Sequence, residues 1–279
     1  MPLALALPSI GYRADAGARA ATMRALTGED EVFMLEDASD WWPAERATAL
    51  LARCVTRLDG RSPVTRDMVR ALSVGECDAL VLHLRRMTFG DAIAAIVSCS
   101  VPDCRAPLEL DLRVSDLLVG PSANGNAFVD VECGANGARR SVRFRPPTAG
   151  DLEAIAPDAA RSVDAAVTRL LSRCATSAEP ATVEWSEHDL AAVARALAAH
   201  DPQADLTLQL TCAECGAHMV VPFDVSAFVF REITDAARTI YHDVHLLASR
   251  YHWSERDILR MSRRRRRAYV EQVEGGVQR

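Results

Sequence analysis

The sequence predicts an α+β protein made of two pseudo-repeated halves, each combining helices with a β-hairpin zinc knuckle, followed by a C-terminal helical segment. Three observations predict this. Short stretches of alternating apolar and polar residues stand among longer segments of helical period. A seven-residue block recurs, Leu50-Leu51-Ala52-Arg53-Cys54-Val55-Thr56 matching Leu170-Leu171-Ser172-Arg173-Cys174-Ala175-Thr176 at five positions. Each copy is followed by a cysteine pair, Cys99/Cys104 and then Cys212/Cys215.

The two halves align further along their length. Phe33 precedes Asp40 as Phe144 precedes Asp151, and the cysteine pairs follow at similar spacing. Beyond each pair the pattern continues without a gap, Leu108, Leu112, Val114, Ser115 and Leu117 standing opposite Met219, Phe223, Val225, Ser226 and Phe228. The expected division is an N-terminal arm over 1–31, a first repeat over 32–143, a second over 144–230 and C-terminal helices over 231–279. Asn124-Gly125, Gly134 and Asn136-Gly137 mark turns around a short strand, Phe128 to Glu132, so 119–143 reads as a hairpin insertion in the first repeat.

Local signals place the helices. Asp40 before Trp41-Trp42-Pro43 opens a helix with proline in its first turn, and Leu50, Leu51, Cys54 and Leu58 then share a face. Trp41, Trp42 and Trp253 read as packing anchors at helix starts. Ser73 caps Val74 to Thr88, with Gly90 beyond; Ser186 caps Glu187 to Ala199, with Pro202 beyond. Leu206 to Leu210 and Met219 to Val225 read as strands. From Phe230 to Tyr251 the apolar spacing predicts one amphipathic helix of about six turns. Ser254 caps a restart through Ile258, Leu259 and Met261, and a last helix runs through Arg263 to Val270.

Composition excludes several functions. With 279 residues the chain can bury a real core, and 49% apolar with 25% charged residues is ordinary for a globular protein. No stretch approaches the roughly 20 continuous apolar residues that span a bilayer. Met1 to Pro8 lacks a basic n-region and is broken by proline, so no signal peptide is expected, and an intracellular, reducing setting is the default expectation. The net charge of −6 argues against a globally basic nucleic-acid binder. The chain contains no lysine, which removes the P-loop, Schiff-base and Ser-x-x-Lys chemistries together. His-Glu-x-x-His and Gly-x-Ser-x-Gly motifs are absent too, so no enzyme is expected and no catalytic residue is named.

In a reducing setting eight cysteines read as thiols or metal ligands. Zinc takes four N or S ligands tetrahedrally, and a pair two to four residues apart can wrap one side of the ion. Cys99, Cys104, Cys212 and Cys215 are therefore the expected ligands of one structural zinc, closed to water and substrate. The small residues Gly216 and Ala217 suit a tight turn whose backbone N–H groups offset thiolate charge. His218 as a substitute ligand and a vestigial site without metal are the alternatives. A thioredoxin-type redox pair opens a helix in a βαβ unit, whereas these pairs lie between strands. Cys54 and Cys174 read as small core residues, Cys77 and Cys133 carry no assigned role, and His242 and His245 read as surface histidines. Five consecutive arginines, Arg263 to Arg267, go round a helix and cannot form one face. With Arg250, Arg256 and Arg260 they form a solvated helix, a patch for an acidic protein, or a nucleic-acid contact.

The segment Val244 to Glu255, containing Leu247-Ala248 and Tyr251-His252-Trp253-Ser254-Glu255, leads to Ile258-Leu259, Ser262, Arg265-Arg266 and Tyr269. It resembles the closing motif of the T-even-like phage baseplate hub assembly family, found in contractile-tailed phages and related injection systems. Arg145 to Asp151, Leu171 to Cys174, Cys212 to Gly216 and Ala25 to Glu31 are similar to that family's pattern, so the resemblance runs in order over residues 22 to 274. His252 stands where glycine is usual, and Cys99-x4-Cys104 is longer than the usual spacing. The resemblance implies a non-enzymatic baseplate assembly factor, a hub assembly chaperone or a hub-associated component, with baseplate, hub or spike proteins as partners. The alternative is a zinc-ribbon nucleic-acid-binding protein using the arginine run.

Overall fold

The computed structural model describes residues 3–6 (backbone), 19–120, 127–134, 140–176 and 185–276 (backbone only at 276). The turns expected at Asn124-Gly125 and Asn136-Gly137 lie outside them. The architecture is α+β: helices surround small antiparallel sheets. The strands β1 (Leu3–Ala6), β2 (Ala20–Met23) and β3 (Val55–Leu58) form one sheet in that order. Each of the other sheets is a two-stranded pair: β4 (Ala92–Ser98) with β5 (Pro107–Arg113), β6 (Val129–Cys133) with β7 (Arg140–Phe144), and β8 (Thr207–Thr211) with β9 (His218–Pro222).

The helices begin where their caps place them. α1 (Gly28–Leu35) follows Thr27, α2 (Pro43–Cys54) starts on proline, and α3 (Arg66–Arg70) is capped by Thr65. Ser73 accepts from the Glu76 N–H at the start of α4 (Val74–Phe89), while Glu76 accepts from the Ser73 N–H, a reciprocal capping box. Gly90 ends that helix at φ 99°, a left-handed geometry that suits glycine. After α5 (Val114–Leu117), Thr148 caps α6 (Ala149–Ala159), Ser162 caps α7 (Val163–Cys174) and Ser186 caps α8 (Glu187–His200).

The main core packs β2 and β3 against α1, α2, α4 and α9 (Val225–Ala237), through fully buried Leu26, Met34, Leu50, Leu80, Leu84 and Ile233. Burying each such side chain stabilises the fold by roughly 1.5–3 kcal/mol. A second core joins the β6–β7 hairpin to α7 and α8 through Val131, Val142, Phe144, Leu171, Cys174 and Val193. The hairpin read as an insertion in the first repeat thus packs on helices that follow it. Cys54 and Cys174 are buried core residues, as their helix faces suggested.

The single six-turn helix expected from Phe230 is instead two, α9 and α10 (Ile240–Tyr251), with a break at Arg238-Thr239. Ala237 and Ile240 are both fully buried, so the break lets each helix bury its own apolar face. The Ala236 carbonyl freed there accepts from Arg263 Nη1 at 3.1 Å and from the Thr239 hydroxyl at 3.3 Å. α11 (Glu255–Leu259) and α12 (Arg263–Gly276) pack with α10 around Leu247, Ile258, Val270 and Val273. Trp253 stacks on Tyr251 at 4.7 Å and meets Tyr269 edge-on.

Candidate metal centre

Two hairpins carry the four cysteines. β4 runs antiparallel to β5 from Ala92↔Arg113 to Ser98↔Pro107, so Cys99 and Cys104 sit in its tip. β8 pairs β9 from Thr207↔Pro222 to Thr211↔His218, so Cys212 and Cys215 sit in the other tip. The tips are built alike. The first cysteine donates its N–H to the chain returning from the tip, Cys99 to the Ala106 carbonyl at 2.8 Å and Cys212 to that of Ala217 at 2.9 Å. The residue after the second cysteine is left-handed in both, Arg105 at φ 50° and Gly216 at φ 71°. Glycine adopts that geometry freely and arginine does so at a cost; the two extra residues of the first tip change the route but not this exit.

The four Sγ atoms lie within 4.8 Å of one another. Cys99 Sγ is 3.7 Å from Cys215 Sγ, and Cys104 Sγ is 3.8 Å from Cys212 Sγ, so each close pair joins one hairpin to the other. Tetrahedral bonds of about 2.3 Å to one zinc would separate the sulfurs by about 3.8 Å. The four cysteines could therefore hold one metal ion. Cys99 and Cys212 are buried, Cys104 is half-buried and Cys215 is exposed. The Cys215 N–H, and after it that of Glu214, directed at the Cys212 sulfur, hold that thiol down at about 7. At Cys99 the Val101 N–H acts to lower the pKa, but burial and the three neighbouring thiols push it up to about 12. Without a cation, one thiolate forms at the expense of its neighbours; a cation removes that competition. His218 is turned to the Thr211 hydroxyl, 2.9 Å from its Nδ1, and the convergent set consists of the cysteines.

Two ionic sites were not anticipated from the sequence. In the first, Arg24 pairs with Asp30 through Nη1–Oδ2 at 2.5 Å and Nη2–Oδ1 at 3.0 Å, and Arg53 Nε reaches Oδ1 at 3.1 Å. Both the N–H and the hydroxyl of Thr27 donate to Asp30 Oδ2 at 2.9 Å. In the second, Arg145 pairs bidentately with Asp151, Arg173 Nε reaches Oδ1 at 2.8 Å, and the N–H and hydroxyl of Thr148 donate to Oδ2 at 2.9 Å. Even the secondary contacts coincide: Arg24 and Arg145 each donate to the carbonyl of the other arginine, Arg53 or Arg173, at 3.0 Å. We call these the first and second clasps. Burial acts against ionisation of Asp151, but the Arg145 guanidinium and the Thr148 N–H win and hold the carboxyl down at about 2; Asp30 is lowered in the same way. Asp151 thus shares its pairings with Asp30, whereas Asp40, which the Phe-to-Asp spacing selected, is exposed. The signal was the repeated Arg-x2-Thr-x2-Asp, with an arginine before Cys54 and Cys174.

The arginine run is mostly turned inward. Arg266 is fully buried, its Nη2 2.6 Å from Glu31 Oε2 and its Nε 3.1 Å from Asp243 Oδ2. Arg267 meets Asp243 at 3.3 Å and Arg263 meets Glu31 at 3.4 Å. Arg264 and Arg265 are exposed, Arg265 lying over the Tyr269 ring.

A profile of the family described as T4 bacteriophage base plate protein matches residues 22–230. The chain belongs to that family. The matched region holds both clasps and both cysteine hairpins, whereas α10 to α12 lie beyond it. Membership gives this baseplate protein a structural or assembly role in the baseplate, with tail proteins as its partners. No curated protein and no solved structure matches the chain. Among the described residues, no helix is long and apolar enough to cross a membrane.

Proposed function

We propose that this baseplate protein is a hub assembly chaperone or hub-associated component of a contractile tail or related injection system, working in the host cytoplasm. Its two halves are stapled by one zinc ion on Cys99, Cys104, Cys212 and Cys215. The observation that carries the staple is the approach of sulfurs from different hairpins at 3.7 and 3.8 Å. A closed four-thiolate site leaves no position for water or substrate, so the metal serves the scaffold. Supporting the duplication, the two clasps share their pairings, and β5 and β9, like α5 and α9, begin 111 residues apart (218 − 107 and 225 − 114). On this reading the β6–β7 hairpin opens the second half. Its counterpart is the pairing of β1 with β2, since Met23 pairs with Val55 as Phe144 pairs with Ala175.

The tagged full-length protein, expressed with the hub and spike components of its tail, is expected to retain at least one of them through purification. Normal baseplates formed without it would overturn the assembly role. The nucleic-acid reading loses support because Arg263, Arg266 and Arg267 are engaged by Glu31 and Asp243.

A further inference from the structure

The first clasp is covered by the C-terminal segment, and its backbone geometry has a counterpart elsewhere in the chain. Thr27 forms an antiparallel bridge with Ser262, and Thr148 forms one with Ser73. At the first, Gly28 N–H donates to the Met261 carbonyl at 3.2 Å and Arg263 N–H to that of Leu26 at 3.3 Å. At the second, Ala149 N–H donates to the Leu72 carbonyl at 3.0 Å and Val74 N–H to that of Pro147 at 3.1 Å. The same two bonds join the same relative positions. The approaching segments are also alike: a capping hydroxyl residue (Thr65 or Ser254), a five-residue helix (α3 or α11), the bridging serine, then a long helix (α4 or α12).

The surroundings differ. α4 lies in the main apolar core, whereas the buried apolar residues of α11 and α12 belong to a separate cluster with α10. Charge spans the junction with α1: Glu29 meets Arg260, Glu31 meets Arg263 and Arg266, and Glu36 accepts from the Tyr241 hydroxyl. Glu31 Oε1 and Arg266 Nη1, both buried, have no hydrogen-bond partner among the described residues. A buried charge network left partly unsatisfied is a weak source of stability but strongly dependent on every member.

We infer that residues 254–276 are a second docking unit of the kind formed by 65–89, carried on the α10–α12 module and latched onto the first clasp by the Glu31–Arg266 contact. The first clasp is thus a binding face for a short-helix–serine–helix segment, filled in this chain by its own C-terminal end. The latch can open as a module because its apolar cluster stays within α10 to α12, and Arg266 keeps Asp243 as a partner inside that module.

Residue-resolved amide exchange on the full-length protein tests this. In Glu31→Gln, the Gly28 and Arg263 amides should lose about a hundredfold protection or more, while Ala149 and Val74 keep theirs and α12 stays helical. Gly28→Ala should do the same without changing charge, because a Cβ there would lie 2.9 Å from Leu259 Cα. Equal loss at all four amides, or general unfolding, would show a single cooperative unit and overturn the latch. Unchanged protection at Gly28 in both variants would overturn it as well.

Discussion

The first and second clasps have the same internal chemistry and different neighbours. Each puts one carboxylate, Asp30 or Asp151, between two arginines and a helix-capping threonine, and each carboxylate is almost wholly buried. The second is bridged at Ser73, where α4 of the main core begins, whereas the first is bridged at Ser262, which leads into a C-terminal helix held through buried charge. A short motif thus fixes the local chain path, and burial elsewhere decides how firmly the covering segment is held. The two cysteine hairpins teach the same lesson on a smaller scale: tips of unequal length share one left-handed exit and deliver sulfurs to one point.

The largest expected effect comes from the point where the two hairpins meet. If one zinc joins the hairpins as proposed, its chelation should lower the melting temperature by on the order of 10 °C or more. Cys104→Ser and Cys212→Ser should cost about as much as each other. A large loss from one hairpin alone would separate the two and break the staple.

Next come the clasps. Asp30→Ala or Asp151→Ala removes a buried carboxylate shared by two arginines and a helix-capping threonine; because most of these guanidiniums reach solvent, the cost should be about 1–3 kcal/mol each, read by denaturant unfolding. Near-equal values would sharpen the equivalence of the clasps; a cost confined to one would end it.

A smaller effect separates the acids by pH. Asp151 has its pKa lowered to about 2, so its contribution is present above the ordinary carboxylate range near 4 and is lost as pH falls through 2. Burial raises Asp78 to about 7, the reverse case: its folded form favours the proton, so stability falls as pH rises from about 4 to 7. Unfolding of Asp78→Asn followed over pH 4 to 8 should show a smaller fall, the remainder belonging to Glu76, which burial also raises to about 7, and to Asp201, while Asp151→Asn should lessen the loss only on the acid side.

The smallest effect lies within the arginine run. Arg264→Ala and Arg265→Ala should each change stability by no more than about 0.5 kcal/mol. Arg266→Ala, which removes the nearest guanidinium from both Glu31 and Asp243, should cost several times more. Equal losses at all three positions would mean that the buried ion cluster contributes nothing special.

Much of this was legible in the sequence, where the signal was local. Ser73, Ser186 and Ser254 cap the helices assigned to them, because a cap is decided within four residues. The cysteine hairpins were legible because two ligands close in sequence need a turn between strands. The clasps were not, since Arg53 and Arg173 reach Asp30 and Asp151 only after α2 and α7 have folded back. The break between α9 and α10 was hidden for a similar reason: apolar spacing continues through Ala237 and Ile240, and the guanidinium that takes the freed carbonyl comes from Arg263. The burial of Arg266 runs against composition, since a run of five arginines reads as solvated until its acidic partners are known.

The zinc staple is tested most directly by counting metal in the purified full-length protein by elemental analysis, alongside Cys99→Ser and Cys215→Ser variants. One zinc per chain in the wild type, lost in either variant, is the expected result. Two zinc ions per chain, none, or full retention after loss of one hairpin's cysteine would contradict a single ion joining the two hairpins.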